Sequence, residues 1–313
     1  MMSDTPVASP KLLLLLAILA FTGVSWGLTI SLATIAISTG FHPLTVAFSS
    51  ALLGAVVLSI VVAMRRKRLV LDAAHLKFYA VTGFIGTAFP HALSFQVAAH
   101  MPAGNRAIIY ALIPMITLLM SIAIAVEKAS ARRFTGIVLG LAAMMIMLLP
   151  GAHVPVEGEL FWTFLTLLIA LSYAFENVYV GLHRPGGLDG LTALWGMTTA
   201  GAAMLVPAVA VSGAPMLVPF DFNLAEGAIA LSTVSHLLAY SGLLYMLNHG
   251  GVVFGAQVSY VVTPAAIVWG IVLLGEPLTL TITISLVLIL AGLALIKPKP
   301  SARKPVLPET PVP

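Results

Sequence analysis

Residues 255–296 read GAQVSYVVTPAAIVWGIVLLGEPLTLTITISLVLILAGLALI: an apolar run, a turn at Gly275, Glu276 and Pro277, and a second apolar run. Residues 105–147 read NRAIIYALIPMITLLMSIAIAVEKASARRFTGIVLGLAAMMIM and follow the same plan. At an offset of 150 residues Tyr110 falls on Tyr260 and Pro114 on Pro264. At 149, Glu127 falls on Glu276, Val138 on Val287, Leu139 on Leu288, Leu141 on Leu290 and Ala142 on Ala291. Any one match means little in so apolar a chain. The ordered set of Tyr, Pro, apolar run, Glu and second apolar run reads as an internal repeat, a feature of secondary transporters.

Composition gives the solvent. Of 313 residues, 60% are hydrophobic and 8% charged, and the mean hydropathy is +1.07. A soluble chain carries about a quarter charged residues. This one must turn its surface to lipid. Cysteine is absent, which removes disulfides, thiolate nucleophiles and cysteine-type zinc sites. The run Leu12 to Ala20 after Lys11 resembles the core of a signal peptide, but it continues to Ala36, long enough to span, and is read as retained.

Ten apolar segments have spanning length: 11–36, 44–64, 75–97, 103–126, 134–150, 159–182, 189–211, 226–247, 252–274 and 278–297. The fold class expected is an all-α integral membrane protein with ten transmembrane helices. Residues 1–10 form a cytoplasmic leader, 11–150 a first repeat, 151–158 an external linker, 159–297 a second repeat and 298–313 a disordered cytoplasmic tail rich in proline. Lys11, the run 65–68, Lys77, Lys128, Arg132, Arg133, Arg184, Lys297, Lys299, Arg303 and Lys304 fall on one side of this arrangement. Only Arg106 falls outside that set. The positive-inside rule makes that side cytoplasmic, with both termini. The basic runs then read as topology anchors touching anionic lipid, and not as a nucleic-acid site. Five spans per half is an odd number, so the halves take opposite orientations.

The motifs SWG (25–27) with His42 and Pro43, PAGNRAIIYALIP (102–114) leading to Glu127, and GAQVSYVVTP (255–264) leading to LLGEPLTL (273–280) resemble the EamA family of ten-span permeases in the drug/metabolite transporter superfamily. The likeness covers nearly the whole chain between leader and tail. It departs from the family pattern at Glu127-Lys128-Ala129 and in lacking an arginine at 48–51. The resemblance implies export of a small metabolite, such as an amino acid or related compound, without a cofactor, by a monomer or homodimer in the cell membrane. An importer or exchanger of the same fold is the alternative.

Several polar residues stand inside these spans. Glu176 lies within 159–182, where a carboxylate costs several kcal/mol unless it is protonated, paired or facing water. It reads as a proton-coupling or amine-binding group, or as a structural carboxylate paired with Lys77. Tyr173 and Asn177 share its helical face. Tyr173 is the repeat counterpart of a position near Trp26, so the first and sixth spans are expected to meet at the cavity. Arg106 reads as a partner for an anionic substrate group or as a snorkelling side chain at the outer interface. Tyr110 and Tyr260 read as cavity-lining tyrosines or packing, and Pro114 and Pro264 as hinges. His91 and His236 read as polar lining. His100 and His249, related at an offset of 149, read as helix-end hydrogen bonders. Trp26, Gln96, Tyr240 and Gln257 complete the candidate lining. Gly136 with Gly140, and Gly251 with Gly255, have small-residue spacing for close helix contact. Glu127 and Glu276 read as capping or turn residues.

The histidines lack the short spacing of a metal site. No Walker loop is present for ATP-driven transport. An intramembrane enzyme would need a Ser–His or His–Asp pairing at one depth, and none has convincing spacing. A channel or scaffold explains the repeat less well than a two-state transporter does.

Overall fold

The structure is a computed structural model describing residues 10–148, 158–219, 221–250 and 255–296. The leader up to residue 9, linker residues 151–157, Gly251 and the tail lie outside the described residues. The described residues are helical, without a β-strand among them. In chain order the helices are α1 (Pro10–Ser38), α2 (Pro43–Met64), α3 (Ala73–Gly83), α4 (Phe89–Ala98), α5 (Ala103–Tyr110), α6 (Ile113–Ala123), α7 (Ala131–Met147) and α8 (Glu159–His183). They continue as α9 (Gly190–Ser212), α10 (Leu224–Gly250), α11 (Ser259–Leu274) and α12 (Leu280–Ile296). Among the described residues, six segments are long and apolar enough to cross a membrane, the run Ala103–Ala123 among them. Ser259–Leu274 and Leu280–Ile296 are shorter apolar helices.

Sequence chemistry sets the helix ends. Asp72, Ser130 and Asp189 accept hydrogen bonds from amides of the first turns of α3, α7 and α9. Gly213 and Gly275 end α9 and α11 in the left-handed region, at φ of 69° and 67°. Burial pushes the Asp189 carboxyl up, but hydrogen bonds from Thr192 and the nearby Lys67 charge hold it below the usual range. The Lys67 Nζ to Asp189 Oδ2 contact, 3.6 Å, joins the loop after α2 to the start of α9.

Three expected spans are not plain helices, and that at 252–274 has a 3-10 turn, Ala256–Val258, before α11. The segment at 75–97 is α3 and α4 joined by a π-helical turn, Phe84–Ala88. The segment at 103–126 breaks at Ala111 and Leu112 and ends its helix at Ala123. Pro114 sits in the first turn of α6, where its missing N–H costs nothing. Pro264, by contrast, lies inside α11.

α1 lies on α10 and α11, while α8 lies on α4, α5 and α6. α4 and α5 both touch α1 and α8 and connect them. α7 packs on α12 through small residues. A β-carbon on Gly136 would lie 2.7 Å from the Gly292 carbonyl oxygen, and Ser285 Oγ donates to the Ala143 carbonyl at 2.8 Å. The main apolar cluster, including Ile108, Met115, Met147 and Ile289, joins these elements.

Candidate functional site

The site forms where α1, α4, α5, α8 and α10 face one another. Trp26 of α1 donates from Nε1 to His236 Nδ1 of α10 at 3.2 Å. The rings of His236 and Tyr240 lie 6.5 Å apart, one helical turn along α10. His91 of α4 lies in electrostatic reach of His236, and its buried Nδ1 has no hydrogen-bond partner among the described residues. Tyr110 of α5 faces Ser94 of α4 and neighbours Arg106. Tyr173 of α8 lies in the reach of both Tyr110 and Glu176, and Tyr240 in that of Glu176. The Trp26–His236 bond and the His236–Tyr240 ring pair are direct, and His91, Tyr110, Tyr173 and Glu176 follow within electrostatic reach of one another.

Glu176 has no ion-pair partner among the described residues, and Lys77, the alternative partner, is an exposed residue. The carboxylate lies against the π-turn. A β-carbon on Gly86 would stand 2.5 Å from Glu176 Cδ and Oε1. Glu176 is half-buried, and His236 keeps more of its surface exposed. Asn177 is exposed. It stands one helical turn from Tyr173 and about 100° round the helix from Glu176.

Arg106 is 1% exposed. The reading of it as a snorkelling residue is corrected, because a terminal nitrogen donates inward to the Ile30 carbonyl at 3.0 Å and to the Thr34 hydroxyl of α1. Glu276 lies in its electrostatic reach. Glu276 caps a helix, but a distant one, accepting from the Ala103 and Gly104 amides of α5. Glu127 pairs with Arg133 at 2.8 Å.

The remaining candidates scatter. Tyr260 packs on the main apolar cluster, as Tyr110 and Tyr173 do, and lies in the reach of Arg132. Gln96 and Gln257 are half-buried. His100 and His249 each bond through Nδ1 to the carbonyl four residues back, Gln96 at 2.9 Å and Tyr245 at 3.0 Å. Among the described residues, no group of three or more His, Asp or Glu side chains is placed to hold a metal ion. Sequence reasoning missed Gly86, Ser172 and Thr34. The available signal was Pro90, which disfavours regular α-winding one turn before it and so draws attention to Gly86.

An all-helical bundle with apolar outer faces and polar side chains between its helices defines a multi-pass membrane protein. The chain belongs to the EamA-like transporter family, whose pattern matches residues 12–149. It is 30% identical over 295 residues to the uncharacterized protein PA1977 of Pseudomonas aeruginosa, covering 91% of this chain and 93% of that one. A solved crystal structure, described only as that of a protein, superposes with a TM-score of 0.60 at 17% identity. It covers 88% of this chain and 94% of its own, and at that identity the likeness speaks for the fold alone.

Proposed function

We propose that the protein is a secondary transporter that exports a small metabolite, an amino acid or related compound, across the cytoplasmic membrane by alternating access. In this reading ten spans form two inverted five-helix repeats, with both termini cytoplasmic. Paired contacts support the inversion. Gly136 and Ser285 are related at an offset of 149, as are Ala143 and Gly292. Gly136 meets Gly292 while Ser285 meets Ala143, the reciprocal pattern a two-fold axis produces. Ser130 caps α7 at the Arg133 amide, as Thr279 caps α12 at the Ile282 amide. The Glu127 and Glu276 amides likewise bond the carbonyl six residues back, Ser121 and Gly270. Similar halves give two conformations of similar energy, which alternating access needs.

The observation that carries the mechanism is the half-buried Glu176 carboxylate, without an ion partner among the described residues and with Tyr173 and Tyr240 in its electrostatic reach. An intramembrane carboxylate that meets water in one state and protein in the other exchanges a proton, or a cationic group of the substrate, between them. Tyr173 and Tyr240 supply rings for a cationic amine, and Trp26 and His236 supply hydrogen-bonding edges. The test is uptake and counterflow of labelled amino acids in proteoliposomes, with and without a pH gradient. Glu176→Gln keeps shape and removes charge. Proton coupling predicts loss of pH dependence with exchange retained; amine binding predicts reduced affinity, greatest for cationic substrates. Wild-type transport by the variant at every pH and for every substrate refutes both roles.

A further inference from the structure

The π-turn Phe84–Ala88 closes with the Phe89 amide on the Phe84 carbonyl. Such a turn widens the helix and displaces backbone groups from the α-helical ladder. Pro90 favours the opening, since it lacks an N–H and its ring presses on the carbonyl four residues back. Two side chains of α8, one helical turn apart, fit that opening. Ser172 Oγ donates to the Ile85 carbonyl at 2.5 Å. Glu176 occupies the space beside Gly86, where a β-carbon would stand 2.7 Å from Oε2 as well as 2.5 Å from Oε1. From the other side α9 holds the turn: a β-carbon on Gly201 would meet the Thr87 β-carbon at 2.4 Å.

The repeat-related place lacks these features together. Residues 233–237, the counterpart of 84–88 at an offset of 149, lie in the α-helix α10, and Ala239 stands where α4 has Pro90. In the register that puts Trp26 on Tyr173, Thr29 replaces Glu176 and bonds the Trp26 carbonyl of its own helix. The wide turn therefore accompanies the carboxylate rather than the fold.

We propose that Gly86 and Ser172 are positioning residues for Glu176, holding its carboxylate on the π-turn so that protonation or cation binding there is transmitted through the turn to α4. This rests on the reading of Glu176 as the coupling group. α4 carries His91 and Ser94 into the site, so a change in the turn's winding reorients both. The titratable groups facing the carboxylate are Tyr173 on its own helix and Tyr240 on α10. Tyr110 on α5 faces Tyr173, while His91 on α4 and His236 on α10 face each other.

Hydrogen exchange on the full chain in detergent tests this without a known substrate. Exchange of amides 85–89, 91 and 92, corrected for its intrinsic pH dependence, is measured against pH alongside transport. In the wild type it changes with a single midpoint, and Glu176→Gln abolishes that midpoint. Gly86→Ala and Ser172→Ala each move it by about one pH unit, a change well within the range that environment produces, and Ser172→Thr restores it. A purely structural role would speed exchange equally at every pH and leave the midpoint in place; that result overturns the inference. Ser172→Ala with Ser172→Thr decides the matter if Gly86→Ala does not fold. If Glu176→Gln keeps the wild-type midpoint in exchange and in transport, the coupling reading itself fails. If it flattens both while Gly86→Ala and Ser172→Ala keep the midpoint, the seat alone fails.

Discussion

Glu276 closes the start of a helix that begins 173 residues earlier in the chain. Its Oε1 accepts from the Ala103 amide at 2.5 Å and its Oε2 from the Gly104 amide at 2.9 Å. Gly270 makes room for it, since a β-carbon there would lie 2.7 Å from Oε2. The contact joins the second repeat-like segment to the first and sets a negative charge at the positive end of α5.

Glu276→Ala leaves two first-turn amides without their partner and is expected to cost about 1–2 kcal/mol, as lost N-caps do. Glu276→Gln keeps an acceptor and should cost less. Gly270→Ala, which crowds the carboxylate without touching its chemistry, should resemble the alanine variant. Thermal unfolding of the full chain in detergent measures all three. Equal stability of Glu276→Ala and wild type would show that the cap contributes nothing.

Arg106 makes its described hydrogen bonds to α1. If that is its whole role, Thr34→Val should reproduce part of the loss seen in Arg106→Ala, on the order of 1.5–3 kcal/mol of stability for hydrogen bonds to a charged group. If it also binds an anionic substrate group, Arg106→Lys should fold normally and still raise KM for anionic substrates. Stability and KM measured on the same three variants separate the two roles.

The Trp26–His236 bond predicts a milder effect. Trp26→Phe keeps a ring and removes the donor, so His236 loses its α1 partner. A neutral hydrogen bond contributes about 0.5–1.5 kcal/mol, or roughly a 2- to 10-fold change in KM. An unchanged KM for every transported compound would leave Trp26 as packing.

Legibility in the sequence followed the range of the interaction. Local chemistry was readable: apolar runs gave helices, and the matched Glu127 and Glu276 marked corresponding turns. His100 and His249 bond within one turn of their own helix, and the sequence reading gave them that role. Partners brought together by packing were not readable. Glu276 as a cap was visible, but nothing near it in the chain points to Ala103. Gly86 is one of 26 glycines, and its use depends on a side chain ninety residues away.

Topology is the most direct expectation to check, and the chain suits the experiment because it contains no cysteine. Single cysteines can be added and probed with a membrane-impermeant thiol reagent without a native background. All lysines and arginines except Arg106 fall on one side of a ten-span arrangement, and the positive-inside rule assigns that side to the cytoplasm. Cysteines replacing Pro43, Gly151 and Ala214 should be labelled from outside intact cells. Cysteines inserted after Arg68 and Arg133 should be labelled only once the membrane is opened. The position at Gly151 decides most, since it separates the five spans of one half from the five of the other. Labelling there only from the cytoplasmic side would give the first half an even number of spans. The halves would then be parallel, and the reciprocal contacts of Gly136 with Gly292 and Ser285 with Ala143 could not arise from an inverted two-fold relation.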